Sequence, residues 1–182
     1  YVRAEDLTVT TNNETNIVRV YYSVDVKGDG GTGDGTPDKY QVEVTYDAVN
    51  GTVDFDGPRY VTLYDTEGNE SETGTGHLAA GQIPGTEADP GYGNPQWAPG
   101  EPTVEYEITG ATKFVVTYSA NAQTYVVEYI DEDKNETIET SGKKDTSFGA
   151  TIRGESEKKD IDGYAYVRAE DLTVTTNNET NI

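Results

Sequence analysis

The chain has 182 residues, only 33% of them hydrophobic, so any core it builds is modest. Its formal net charge is −21, from 13 Lys and Arg against 34 Asp and Glu, which argues against nucleic acid or an anionic membrane as a partner, because both repel it. It has no cysteine, hence no disulfide and no thiol chemistry, and no apolar run approaches the roughly 20 residues of a membrane span.

One stretch organises the rest. YVRAEDLTVTTNNETNI occupies Tyr1 to Ile17 and returns unchanged from Tyr166 to Ile182, an offset of 165 residues. Internal identity of this length reads as a window on a tandem array, slightly longer than one period. The start on Tyr1, without Met, fits such a slice of a longer protein. Arrays of near-identical units supply reach and many binding faces, and seldom carry one catalytic centre.

The first copy runs into Val18–Val26. Val18, Val20, Tyr22, Val24 and Val26 point one way and Arg19, Ser23 and Asp25 the other, which predicts a half-buried strand. Residues 1–26 therefore read as the C-terminal part of a module begun by a preceding repeat. Residues 27–39 (KGDGGTGDGTPDK) are a Gly/Asp linker between modules.

Residues 40–120 read as one β module. Tyr40, Val42, Val44 and Tyr46 alternate with Gln41, Glu43 and Thr45. Asn50-Gly51 signals a hairpin turn. Tyr60 to Tyr64 predicts a short strand closed by Asp65–Gly68, and His77 to Ala80 makes one helical turn at most, since Gly81 and Pro84 stop it. Gly85 to Pro102 reads as a Gly/Pro loop. Val104, Tyr106 and Ile108, then Phe114, Val116 and Tyr118, predict two closing strands.

Residues 124–182 read as a second module. Tyr125, Val127 and Tyr129 begin it, Asp131–Asn135 turns the chain, and Thr137–Thr140 pairs back. Phe148–Arg153 suggests another strand, Gly163 a turn, and Leu172 with Val174 the last apolar pair. In an array, Ile182 would continue into the equivalent of Val18–Val26. The module as given lacks that last strand, so Val18, Val20, Tyr22 and Val24 are candidates for strand exchange with a neighbouring copy, or for an unpaired edge. The fold class is all-β, or β-rich α+β with a short helical turn.

Chemistry-bearing residues are few. The one histidine, His77, lies in a polar loop with no nucleophile-elbow motif nearby, and the chain reads as a non-enzyme. Asp29, Asp34 and Asp38 on a Gly-rich loop offer carboxylates of the kind calcium takes. The ordered spacing of a calcium loop is missing, and a solvated linker is the other reading. Tyr92 and Trp97, within GYGNPQWAPG, offer rings for stacking on a sugar or a protein, unless Trp97 fills the small core of its module. Lys113 lies on a strand among apolar neighbours, where an isopeptide cross-link or an ordinary surface lysine are the alternatives. The Asn-x-Ser/Thr sites at Asn13, Asn50, Asn69, Asn135 and Asn178 read as turn residues.

The run Tyr125–Val167, continued by Asn16–Val24, resembles the MucBP repeat of Gram-positive surface proteins. It shares an opening strand, a D-E-D-x-N-E turn (Asp131–Glu136), a Gly163-Tyr164 pair and a closing V-x-V-x-Y strand. PDKY (Pro37–Tyr40), VTLYDTEGN (Val61–Asn69) and FVVTYSA (Phe114–Ala120) are similar to SHIRT-like repeats of Firmicute surface proteins. The resemblance implies two small β-grasp-like modules in a tandem-repeat rod, an extracellular place on the bacterial cell wall, and no cofactor. The resemblance does not identify a ligand; as an adhesin repeat the chain is expected to bind host glycoprotein of mucin type through many weak copies. Immunoglobulin, as for gut-bacterial superantigens, and a ligand-free stalk are the alternatives, with neighbouring repeats head to tail as further partners.

Overall fold

The computed structural model describes residues 3–12, 16–22 and 34–182. The chain is β-rich. Its strands are β1 (Arg3–Ala4), β2 (Val20–Tyr21), β3 (Gln41–Val49), β4 (Gly51–Val53), β5 (Arg59–Thr62), β6 (Gly76–His77), β7 (Thr86–Ala88) and β8 (Tyr92–Ala98). These are followed by β9 (Glu107–Ile108), β10 (Thr112–Ala120), β11 (Ala122–Tyr125), β12 (Glu128–Asp131), β13 (Glu136–Thr140), β14 (Lys144–Ser147), β15 (Thr151–Ile152) and β16 (Leu172–Thr173). Among the described residues the only helical pieces are short 3-10 turns at Asp38–Tyr40, Ala80–Gln82 and Gly154–Glu157. One four-stranded sheet runs in the order β5-β3-β10-β8; the other strands pair two by two.

Two compact units are each assembled from separated stretches. The first is Tyr1–Thr45, Asp56–Ile83 and Pro102–Lys113; the second is Tyr46–Phe55, Pro84–Glu101 and Phe114–Ile182. The first unit buries Val44, Val61, Leu63, Leu78 and Ile108. Gly76 on β6 passes so close to β5 that a Cβ there would come within 2.4 Å of the Thr62 carbonyl, so no larger residue fits. The second unit is built on β10, where buried Phe114, Val116 and Tyr118 alternate with exposed Lys113, Thr117 and Ser119. Tyr46 stacks on Phe114 at 5.6 Å and meets Phe55 edge-on at 5.8 Å, each contact worth about 0.5–1.5 kcal/mol beyond the area it buries. The Tyr118 hydroxyl donates to Thr86 Oγ1 at 2.6 Å, satisfying the polar end of a buried ring.

Several sequence expectations change. Asn50 does adopt a left-handed φ of 60°, but Gly51 does not, and a two-residue type I′ hairpin needs both. The chain instead leaves β3 for a new partner: β4 pairs with β7, and Asn50 Nδ2 donates to the Tyr118 carbonyl at 3.0 Å. The Gly/Pro stretch is not a loop throughout, because β7 and β8 lie in it and β8 pairs with β10, Trp97 opposite Val116. Pro95 is tolerated there because β8 is an end strand. Of the strand expected through Val104 only Glu107–Ile108 forms, since Thr103 to Tyr106 makes a turn closed by a 3.1 Å bond. The Tyr125–Ile130 alternation is split between β11 and β12. Within Val18–Val26 the described strand is Val20–Tyr21. Val18, Val20 and Tyr22 are exposed by 62%, 45% and 77%, because the partner strand is only Arg3–Ala4, too little to cover the expected half-buried face.

Phe114→Ala should lower stability by about 3–5 kcal/mol through the cavity left in the ring cluster. Thr117→Ala, on the exposed face of the same strand, should stay within about 0.5 kcal/mol. Urea unfolding midpoints of the two variants check the contrast.

Candidate functional site

The first unit carries a shallow groove of about 350 Å³ along its end strand, lined by Tyr60, Thr62, Tyr64, Thr75, His77 and Gln82 among others. Its construction follows from sequence periodicity. Val61 and Leu63 are buried to 3% and 1% exposure, which turns Tyr60, Thr62 and Tyr64 to the other face of the strand. Gly76 lets β6 lie against that strand, and Tyr64 is bridged to both Thr75 and Glu70. Gln82 ties the Ala80–Gln82 turn to the groove wall: its Nε2 donates to the Tyr60 carbonyl at 2.9 Å, and its Oε1 accepts the Ala79 N–H at 3.0 Å. At the far end Asp65 holds the turn after Tyr64. Its Oδ1 accepts the N–H groups of Asn69 and Glu67, both at 2.9 Å. The Asn69 N–H is the main reason its carboxyl stays below the ordinary carboxylate range.

Tyr64 is 46% exposed and His77 is exposed as well. The groove thus sets two tyrosine rings beside threonine hydroxyls and an imidazole, apolar faces flanked by polar groups. Sequence alone places Tyr60–Tyr64 on a strand and His77 in a loop. The i, i+2, i+4 placement of Tyr60, Thr62 and Tyr64 opposite buried Val61 and Leu63 was the signal available.

The residues singled out from sequence do not come together. Tyr92 meets Phe148 edge-on at 5.3 Å, and a Cβ on Gly91 would collide with that ring. Trp97 is half-buried on β8, on the same sheet face as buried Val116. Asp34 organises its own loop, accepting the Thr36 N–H at 2.8 Å and Gln41 Nε2 at 2.6 Å. The Thr36 N–H is the main cause of its lowered pKa. Asp38 opens a 3-10 turn, and Asp29 and Val24 lie outside the described residues. Among the described residues no three His, Cys, Asp or Glu side chains gather closely enough to hold a metal ion. Lys113 is exposed on β10. Asn69 and Asn135 stand in turns, Asn135 with a φ of 55°, and Asn13 is outside the described residues.

The second unit holds a polar cluster that the sequence did not announce. Glu157 accepts the Tyr125 hydroxyl at 2.7 Å and also bonds Lys144, while the Tyr129 hydroxyl donates to the Glu157 carbonyl at 3.0 Å. Lys159 lies over the Tyr129 ring at 4.2 Å. Lys144 first, then Tyr125, holds the Glu157 carboxyl below its ordinary range. The cluster joins β11 and β14 to the Gly154–Glu157 turn, and every polar group in it is engaged by another.

No protein-family model, no curated protein and no solved structure matches the chain.

Because the folded Glu157 pKa is depressed, its contribution is present above the ordinary value of 4.5 and is lost as pH falls through the lower folded value. Glu157→Gln should therefore lower the urea midpoint at neutral pH. The gap between variant and parent should close as the pH drops below 4.5, which a pH series of denaturation curves reads directly.

Proposed function

We propose that this chain is a repeat of a bacterial cell-surface adhesin that projects from the wall and binds host glycoprotein of the mucin type through many copies. The observation that carries the reading is the recurrence of Tyr1–Ile17 as Tyr166–Ile182: identical units multiply a weak site, and avidity then replaces affinity. The resemblance of Tyr125–Val167 to MucBP repeats supports a wall-bound, extracellular protein of two β-grasp-like modules per period. The net charge of −21 supports projection, since like charge keeps successive units apart and in solution.

The groove on the end strand of the first unit is the ligand site in this reading. Its tyrosines offer flat apolar faces of the kind that sugars and short peptides stack on, and Thr62, Thr75 and His77 offer polar groups to their edges. A site this open binds weakly one copy at a time, which suits a repeat.

Immobilised mucin glycoprotein should retain a chain of several repeats far longer than a single one. Tyr64→Ala should weaken single-repeat binding by about tenfold, roughly 1.4 kcal/mol. Surface plasmon resonance on mucin and on immunoglobulin G side by side decides the matter. Retention by immunoglobulin and not by mucin would replace the ligand in this reading, and binding to neither would leave a stalk.

A further inference from the structure

The second unit requires a chemically reactive pair of residues at the start of β4. Asn50 has a left-handed φ of 60°, a region that asparagine tolerates better than most side chains. Gly51 follows it. A Cβ on Gly51 would run into the Glu87 carbonyl and lie 2.7 Å from the Tyr118 ring, so glycine alone fits. This is the one Asn-Gly sequence in the chain. It is also the dipeptide in which a backbone nitrogen most readily attacks a side-chain amide, because glycine puts no side chain in the way.

The chemistry needs only water. The Gly51 nitrogen bonds to Asn50 Cγ, the Cγ–Nδ2 bond breaks, and Nδ2 leaves as ammonia with the Gly51 proton. The product is a five-membered succinimide, which water opens. Cleavage between the Gly51 nitrogen and Cγ leaves aspartate. Cleavage at the Asn50 backbone carbonyl leaves isoaspartate, with the main chain routed through Cβ and Cγ.

The folded backbone opposes the first step. In the left-handed region ψ is roughly +30 to +60°, which turns the Gly51 nitrogen away from Asn50 Cβ. Ring closure therefore needs rotation about the Asn50 Cα–C bond. That rotation swings the Asn50 carbonyl, which accepts the Asp89 N–H at 2.9 Å, and moves Gly51 off Ala88, its partner on β7. The side-chain amide is held too, since Nδ2 donates to the Tyr118 carbonyl at 3.0 Å. Asp54 closes the far end of the strand pair: its N–H donates to the Gly85 carbonyl at 3.1 Å, and its Oδ1 accepts the Gly85 N–H at 2.7 Å.

We propose that Asn50-Gly51 is a site of self-deamidation gated by opening of the β4–β7 pair. Closed, the pair keeps the Asn50 amide; opened, it lets the ring form. The change is one-way. An aspartate at position 50 has no N–H for the Tyr118 carbonyl and sets a carboxylate against it. An isoaspartate adds a backbone carbon ahead of β4 and shifts Gly51 out of register with Ala88. Either product leaves β4 less able to return, so the site records each opening that reacts. None of this depends on what the repeat binds.

Incubating the 182-residue chain at mildly alkaline pH across a guanidinium chloride series tests the gate. Peptide mapping by mass spectrometry follows conversion at Asn50 and separates aspartate from isoaspartate, while hydrogen exchange at the Asp89 amide reports the opening. Conversion should be slower by about tenfold or more without denaturant than in the unfolded chain, and should rise in step with Asp89 exchange. Equal rates in the folded and unfolded chain would overturn the proposal. So would Asp89 exchange that quickens across the series while conversion at Asn50 does not. Asn50→Asp, which installs one product directly, should unfold at a lower denaturant midpoint than the parent; an unchanged midpoint would show that the product reseats and sink the one-way step.

Discussion

Asn181 has no exposed surface, and its side-chain amide is bonded at both ends: Oδ1 to Thr175, Nδ2 to the carbonyls of Thr124 and Thr175. An amide taken from water without partners costs several times what a satisfied one returns, so the site accepts this residue in this position and little else. Through it the end of the chain is joined to the start of β11, and Val174 is carried into the core of the second unit. In a protein with so few apolar residues, a satisfied buried amide does part of the work that a larger hydrophobic core does elsewhere.

The same economy recurs. Asp65 caps the turn beside the groove, Asp54 Oδ1 accepts the Gly85 N–H at 2.7 Å, and Glu157 gathers two tyrosines and a lysine. Short strands of two to four residues make few ladder bonds, and side chains close the gaps between them. Tyrosine is the abundant aromatic for a related reason: Tyr118 and Tyr125 are buried rings whose hydroxyls reach Thr86 and Glu157. Where a tyrosine has no such cover, as at Tyr64, its ring stays exposed to water.

Periodicity in sequence was readable where one strand has one wet and one dry face. β10 and Tyr60–Tyr64 obey it residue by residue, and Asp131–Asn135 turns the chain into β13 as its composition indicates. It failed where a partner decides. Tyr92–Ala98 carries a glycine and a proline, yet pairs because β10 offers it an edge. Asn50-Gly51 has hairpin composition, yet the next strand finds β7 instead. Val18–Tyr22 has the alternation of a buried strand without a sheet face to lie on. The groove was invisible because its walls, Tyr60 to Gln82, are joined by the approach of β6 at Gly76, a contact between residues distant in sequence.

The sequence by itself determined the repeat, the β-rich class, the charge, and the Thr–Asn hydrogen bond found in each copy, Thr10 with Asn16 and Thr175 with Asn181, because all of these depend on composition or on neighbours a few residues apart. Tertiary structure alone decided that Asn181 is fully buried and Asn16 is not. It also decided how two compact units are assembled from interleaved segments, and that Tyr60 and Tyr64 line one groove with His77. Identical residues have identical local preferences. Burial is a property of what stands opposite, so Val9 lies in water and Val174 in a core.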